Sequence, residues 1–156
     1  MKRNINKKQK PILAVSSGGG HWIQLLRLRP VWDTFPVVYA SVDRAYRNDV
    51  YPNHYFVIPD GNRNTKAALL KMLCVCFILV VKIRPSVVIS TGAAPGFFAV
   101  ICGKIFGART VWVDSIANAE RLSLCGKAVR PFADLRLTQW KELSTPKGPY
   151  FHGSII

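Results

Sequence analysis

Acidic side chains are scarce in this 156-residue sequence: Asp and Glu total 8 against 22 Lys and Arg, a formal net charge of +14. A surplus of that size points to an acidic partner: a phosphate-bearing ligand, an anionic lipid or a nucleic acid. No C-x-x-C occurs, and the four cysteines (Cys74, Cys76, Cys102, Cys125) show no paired Cys/His spacing. That argues against a zinc site and a disulfide framework, and reads as reduced thiols in a cytosolic protein. No metal and no cofactor is expected. Paired carboxylates of the glycosidase kind are not evident, so hydrolysis is not expected. Gly103-Lys104 and Gly126-Lys127 lack the remainder of a phosphate-binding P-loop. Repeats, low-complexity tracts and linkers are also missing, which leaves one domain.

What is present is apolar as well as basic. Hydrophobic residues make up 49% of the chain, enough for one buried core, and the mean hydropathy is +0.15. Basic and greasy together fit a membrane surface better than a freely soluble domain. Residues 1–10 form a basic tail, and residues 11–156 are read as the folded domain. The tail resembles the basic region of a signal peptide, but the apolar run after it, Pro11 to Val15, is short and is broken by Ser16-Ser-Gly-Gly-Gly20. Export is therefore not expected. The tail is either solvated or held on anionic lipid.

Along the chain, apolar runs alternate with helical patterns. Strands are predicted at Pro11–Val15, Val37–Ser41, Tyr55–Ile58, Ser86–Ser90 and Thr110–Val113, a sixth at Leu135–Thr138, and an irregular end. Helices are predicted at His21–Arg29, from Lys66 (capped by Asn64 or Thr65) to before Pro85, and at Phe97–Phe106 with Gly107 as the stop. This alternation predicts an α/β fold with a single doubly wound, Rossmann-like parallel sheet. The span Ala67–Val81 is apolar except for Lys71. Its 15 residues fall short of the about 20 that cross a bilayer. Three readings stay open: a crossover helix buried on the sheet, a helix facing lipid from the cytosolic side, and a true span.

Two glycine-rich turns carry the chemistry. Ser16-Ser-Gly-Gly-Gly-His21 follows the first strand and opens a helix, where backbone N–H groups and the helix N-terminus favour an anion. Thr91-Gly-Ala-Ala-Pro-Gly96 follows the fourth strand. In the strand order 3-2-1-4-5-6, strands one and four are neighbours whose carboxyl ends bracket the ligand crevice. Ser17, Gly18, Gly19, Gly20, Thr91, Gly92 and Gly96 are therefore candidate binding residues for a long phosphate-bearing ligand such as a diphosphate. The alternative is two tight turns needed only for the fold. A dinucleotide reading, with Asp43 on a ribose, is weakened because Ile23 stands where G-x-G-x-x-G needs its third glycine.

Four motifs in order, Ser16-Ser-Gly-Gly-Gly-His21, Thr91-Gly-Ala-Ala-Pro-Gly96, Val111-Trp-Val-Asp-Ser115 and Pro131-Phe-Ala-Asp-Leu135, resemble the acceptor-side subunit of two-component glycosyltransferases. The resemblance covers roughly residues 11 to 156. It extends to the membrane-recruiting subunit that serves dolichol diphosphate-linked sugars and to bacterial subunits of exopolysaccharide or capsule assembly. It implies the N-terminal half of a GT-B glycosyltransferase. The donor-binding half would come from a partner chain in trans, and a polyprenyl diphosphate-linked sugar would be the acceptor. The implied location is the cytoplasmic face of a membrane, the inner membrane in bacteria, held peripherally or monotopically. Members often carry glutamate where Asp114 stands here, and Ile116–Glu120 departs from the common pattern.

For such a transfer, His21 and Asp114 are the candidate catalytic residues, since a general base makes an acceptor hydroxyl more reactive. Glu120 is a further acceptor-binding candidate. Their bland alternatives are a helix-starting polar residue, a cap and a solvated helix residue. Arg44, Arg47 and Arg63 would meet diphosphate or headgroups, or remain solvated loop charges. The terminal Phe151–Ile156 segment is expected on the donor subunit or packed back on its own domain. Competing functions are a non-catalytic membrane scaffold for the partner, a nucleic-acid binder and a nicotinamide-dependent enzyme. Nucleic acid is not expected, because the basic residues are dispersed and no recognition signature occurs.

Overall fold

The computed structural model describes residues 9–61 and 65–155. The strands are β1 (Ile12–Val15), β2 (Val37–Ser41), β3 (His54–Val57), β4 (Val87–Ser90), β5 (Arg109–Val113), β6 (Leu135–Thr138) and β7 (Tyr150–Phe151). They form one sheet in the order β3-β2-β1-β4-β5-β6-β7, parallel at every pairing. The helices are α1 (Gly20–Arg27), α2 (Lys66–Ile83), α3 (Ala93–Ile105) and the single turn α4 (Leu124–Ala128). A 3-10 segment, Arg44–Val50, links β2 to β3.

Alternation along β1 and β2 builds two cores, one on each side of the sheet. Ile12, Ala14, Val37 and Tyr39 pack with Trp22, Leu25 and Trp32 on the α1 side. Leu13, Val15, Val38, Ala40 and Val88 pack with Met72, Cys76, Leu79, Val80, Ala99 and Val100 of α2 and α3 on the other. Each fully buried Val, Leu or Met among them is worth about 1.5–3 kcal/mol. Close approach of α3 to the sheet needs two glycines seven residues apart. A Cβ on Gly96 would stand 1.7 Å from Ser90 Oγ, and one on Gly103 would stand 2.5 Å from Val88 Cγ2.

The predicted sheet order is observed, with two departures at the level of elements. The end of the chain is not wholly irregular: β7 adds a seventh parallel strand, pairing Leu137 with Tyr150 and Thr138 with Phe151. α3 starts at Ala93 rather than Phe97, so Pro95 and Gly96 lie inside its first turns. Proline is tolerated there because its missing N–H has no intrahelical acceptor to lose. Of the three readings of the 67–81 span, α2 buries Met72, Cys76, Leu79 and Val80 as a crossover helix, and no helix among the described residues is long and apolar enough to cross a membrane. Thr65 is the residue that precedes α2; Asn64, Arg63 and most of the basic tail (residues 1–8) lie outside the described residues, as does Ile156.

Candidate functional site

Because β1 and β4 are paired in register, Val15 beside Ser90, their following turns leave the same end of the sheet side by side. Two hydrogen bonds join them. His21 Nδ1 donates to the Thr91 carbonyl at 2.9 Å, and Thr91 Oγ1 donates to the His21 carbonyl at 2.6 Å. A carbonyl only accepts, so the proton of a neutral His21 ring is on Nδ1 and Nε2 carries the free lone pair. The ring lies on the α-carbon of Gly92, where a Cβ would come within 2.5 Å of it. Gly92 has φ 138, a conformation open to glycine and not to other residues. Ala93 follows at φ 61, a left-handed value that costs an L-residue energy and marks the turn as held by its surroundings.

His21 and Ala93 form one wall of a cleft of about 520 Å³. Ser115, Asn118, Arg121, Ser123 and Lys127 supply its polar lining. The first turn of α1 opens beside it. Gly20 is exposed with no atom within 4 Å of a would-be Cβ, and first-turn amides have no intrahelical acceptor. The other predicted residues of the first turn are engaged elsewhere. The Gly18 α-carbon backs onto Tyr46 Oη, with a would-be Cβ 3.2 Å away, and the Gly19 N–H donates to that same hydroxyl at 2.9 Å. Tyr46 is itself held by stacking on Trp22, ring centroids 4.8 Å apart. The Ser17 carbonyl accepts from Ser16 Oγ and Ser41 Oγ. Gly96 faces Ser90 and the sheet, not the cleft.

Asp114 is only 2% exposed and is not among the cleft-lining residues. Oδ1 accepts from Ser123 Oγ at 2.6 Å, and Oδ2 accepts from the Ser123 N–H at 2.9 Å. The Ser123 hydroxyl in turn accepts from Gly126 N–H and caps α4. The carboxylate therefore fixes the 115–123 loop, which is the cleft floor, rather than presenting itself to a ligand. Glu120 is exposed and lines a neighbouring cleft of about 810 Å³, with Arg130, Arg136, Glu142 and Lys147. Arg121 and Lys127 line both clefts. Asp43 caps the 3-10 segment by accepting from the Ala45 N–H, which gives it a local structural role.

The sequence reading missed two groups. Arg121 and Lys127 are the cations of the His21 cleft, and no local motif singles them out. Beneath them lies a buried amide network. Gln139 Nε2 donates to Gln24 Oε1 at 2.6 Å and to the Asp114 carbonyl at 3.0 Å, while Gln24 Nε2 donates to Ser115 Oγ at 3.2 Å. The chain end joins it: the Ile155 N–H donates to Gln139 Oε1, and Arg27 donates to the Ile155 carbonyl. Residues 154–155 thus pack on their own domain. Of the cysteines, Cys125 lines the His21 cleft. Burial pushes the Cys76 thiol up to about 12 and raises that of Cys102, so neither is a thiolate at neutral pH. Among the described residues no group of three His, Cys, Asp or Glu is placed to hold a metal ion.

A single parallel α/β sheet with its crevice at the β1/β4 switch point defines a Rossmann-like unit of the GT-B kind. The same fold occurs in a crystal structure of Acinetobacter baumannii MurG, with TM-score 0.72 and 10% identity over 93% of this chain and 45% of that one. It occurs again in UDP-N-acetylglucosamine 2-epimerase from Rickettsia bellii, with TM-score 0.68 and 14% identity over 94% of this chain and 45% of that one. The chain belongs to the family described as oligosaccharide biosynthesis protein Alg14 like, whose profile matches residues 60–155. Among its curated relatives is the mouse UDP-N-acetylglucosamine transferase subunit ALG14, 28% identical over 93% of this chain and 82% of that protein. The subunit of the same name from Yarrowia lipolytica is 33% identical over 50% of this chain and 39% of that protein. The match thus spans 39% of the Yarrowia protein and 45% of the MurG chain.

Proposed function

We propose that this chain is the acceptor-side subunit of a membrane-associated, UDP-sugar-dependent glycosyltransferase that acts in lipid-linked oligosaccharide, exopolysaccharide or capsule synthesis. The names of its relatives make UDP-N-acetylglucosamine the donor to try first. The donor half comes from a partner chain, and the acceptor is a polyprenyl diphosphate-linked sugar met at the cytoplasmic face of a membrane. The observation that carries this reading is the cleft shared by His21 and the β4 turn, in a chain of this family.

The chemistry follows from the ring's tautomer. With Nδ1 donating to Thr91, Nε2 faces the acceptor hydroxyl and takes its proton. The hydroxyl oxygen attacks the anomeric carbon of the donor, a carbon–oxygen bond forms, and the bond to the UDP oxygen breaks with its electron pair leaving on the diphosphate. Arg121 and Lys127, with the Gly20 end of α1, face the acceptor diphosphate. Asp114 is a positioning residue: it holds Ser123 and the cleft floor. Glu120 and Gly96 have no part in the transfer on this reading, nor do Gly18 and Gly19 touch the ligand.

The test is transfer of radiolabelled sugar to a synthetic polyprenyl diphosphate-linked acceptor, by this chain alone and with the glycosyltransferase chain that co-purifies with it. Activity is expected only from the pair, and His21→Ala lowers kcat by about 100-fold or more with the protein still folded. Full activity from this chain alone defeats the split-enzyme reading. Unchanged activity in both His21→Ala and Asp114→Ala makes the chain a scaffold for its partner.

A further inference from the structure

Parallel strands are ordinarily joined by a crossover helix that packs back on the sheet. β6 and β7 are not: residues 139–149 between them hold one 3-10 turn, Lys141–Leu143. The face of β6 on the α3 side is therefore left open. Arg136 is on that face, in register with Trp112, which packs in the core beneath α2 and α3. In the gap lies the cleft of about 810 Å³ that neighbours the His21 cleft, and Arg121, Lys127, Arg130, Arg136 and Lys147 line it. That size is in the range of small-molecule sites.

Charge sets the class of ligand. Glu120 and Glu142 line the same cleft, but among the described residues neither forms an ion pair with any of the five cations. Arg136 is half-buried, and burial, with the Arg130 charge beside it, pulls its guanidinium below the usual arginine value. Like charges crowded together repel, and an anion between them turns that repulsion into attraction. The Arg136 Nη2 donates to the Gly148 carbonyl at 2.8 Å, and Thr145 Oγ1 donates to that same carbonyl at 2.8 Å. The planar fork is thereby fixed, and its remaining N–H groups take no partner among the described residues. A fixed guanidinium fork fits phosphate oxygens two at a time. Five cations less two carboxylates leave +3, more than the about −2 that a single phosphate carries, and a diphosphate meets it. Leu143, Pro146 and Pro149 add an apolar wall for whatever carries that diphosphate, a nucleoside or a prenyl chain.

We propose that the cleft between α4 and the 142–149 loop is a second anion site, which takes a diphosphate group. It goes beyond the function proposed above and does not depend on it. Arg121 and Lys127 line this cleft and the His21 cleft alike, so the two sites share cations. An anion held in the second draws those side chains away from the first. Anything phosphate-bearing in the His21 cleft is then held more weakly.

The test is calorimetric titration of the full chain, without partner or acceptor, with inorganic diphosphate. Binding is expected, and it weakens as salt rises. Arg130 and Lys147 are exposed and line only the second cleft. R130Q/K147Q therefore lowers the affinity roughly tenfold or more with unchanged thermal melting. Should that variant melt early, R130Q decides alone. Removing two charges elsewhere, in K71Q/K82Q on α2, leaves the affinity unchanged. UDP and geranyl diphosphate are then titrated in turn. Tighter binding of either supports the site and names its carrier, nucleoside or prenyl chain, and a site indifferent to both takes the diphosphate alone. No binding of inorganic diphosphate, a loss in K71Q/K82Q as large as in R130Q/K147Q, or binding untouched by R130Q/K147Q overturns the proposal.

Discussion

The two glycine turns look alike in sequence and are built on opposite plans. In the first, after β1, Tyr46 crowds Gly18 and takes the Gly19 N–H, Gly19 sits at φ 63 with open space beside it, and Gly20 is open with its N–H not taken by Tyr46. In the second, after β4, glycine lets large parts of the fold touch: the His21 ring on Gly92, and the whole of α3 on Ser90 through Gly96. The lesson is that a glycine-rich turn beside a crevice is not by itself an amide cradle for a ligand. Only a glycine with empty space beside it and an N–H not already taken, Gly20 rather than Gly19, can serve one directly.

Alanine at each position tests that distinction. Gly96→Ala has the largest effect, because its Cβ meets backbone-anchored atoms of β4 and α3 must shift as a unit. A loss of about 3 kcal/mol, roughly 6–12 °C in thermal melting, is expected, and Ser90→Ala in the same chain restores part of it. Gly92→Ala comes next. It strains a φ of 138 and displaces the His21 ring, so kcat of the reconstituted transferase falls by about tenfold or more along with stability. Removing the Tyr46 hydroxyl in Tyr46→Phe leaves the Gly19 N–H without its partner and lowers stability by about 1 kcal/mol. Gly20→Ala is smallest for the fold: alanine favours a helix start with space around it, so melting is unchanged or raised by a degree or two. The same change crowds the α1 amides, so KM for the acceptor rises while kcat holds. If Gly20→Ala leaves KM untouched and Gly18→Ala raises it, the assignment of the two turns is reversed.

A pH series separates the cleft from a remote structural pair. Lys104, which donates to Asp134, holds that carboxyl below the usual carboxylate range, helped by the Thr110 N–H and hydroxyl. A depressed folded-state value means the stabilisation is present above the unfolded carboxylate range and is lost as pH falls through the folded value. Acid melting of Asp134→Asn is therefore expected to show a shallower decline below about pH 4 than the unchanged chain, with transfer activity at neutral pH preserved.

Much of this was legible in the residues. Val37–Ser41 and Leu135–Thr138 are strands at the predicted bounds, and the predicted order of the first six strands is the observed one, because buried parallel strands read as unbroken apolar runs closed by glycine or proline. β7 was not legible: two residues after Gly148-Pro149 carry no periodicity, and only the edge of β6 makes them a strand. The start of α3 was misplaced because Pro95 and Gly96 look like a loop until the sheet beneath demands a close approach. In the candidate site, the meeting of His21 with the second turn followed from sheet order. The engagement of Asp114 by Ser123 did not, and neither did the Gln24–Gln139 pair, whose members lie 115 residues apart and meet only through the folded sheet.

One consequence belongs to the reciprocal bonds between His21 and Thr91. They stitch the two rims of the crevice into a single rigid lip, with no hinge between them. A site that must shut out water and reopen for each substrate then cannot do so by flexing here. On the function proposed above, that motion falls to the partner chain.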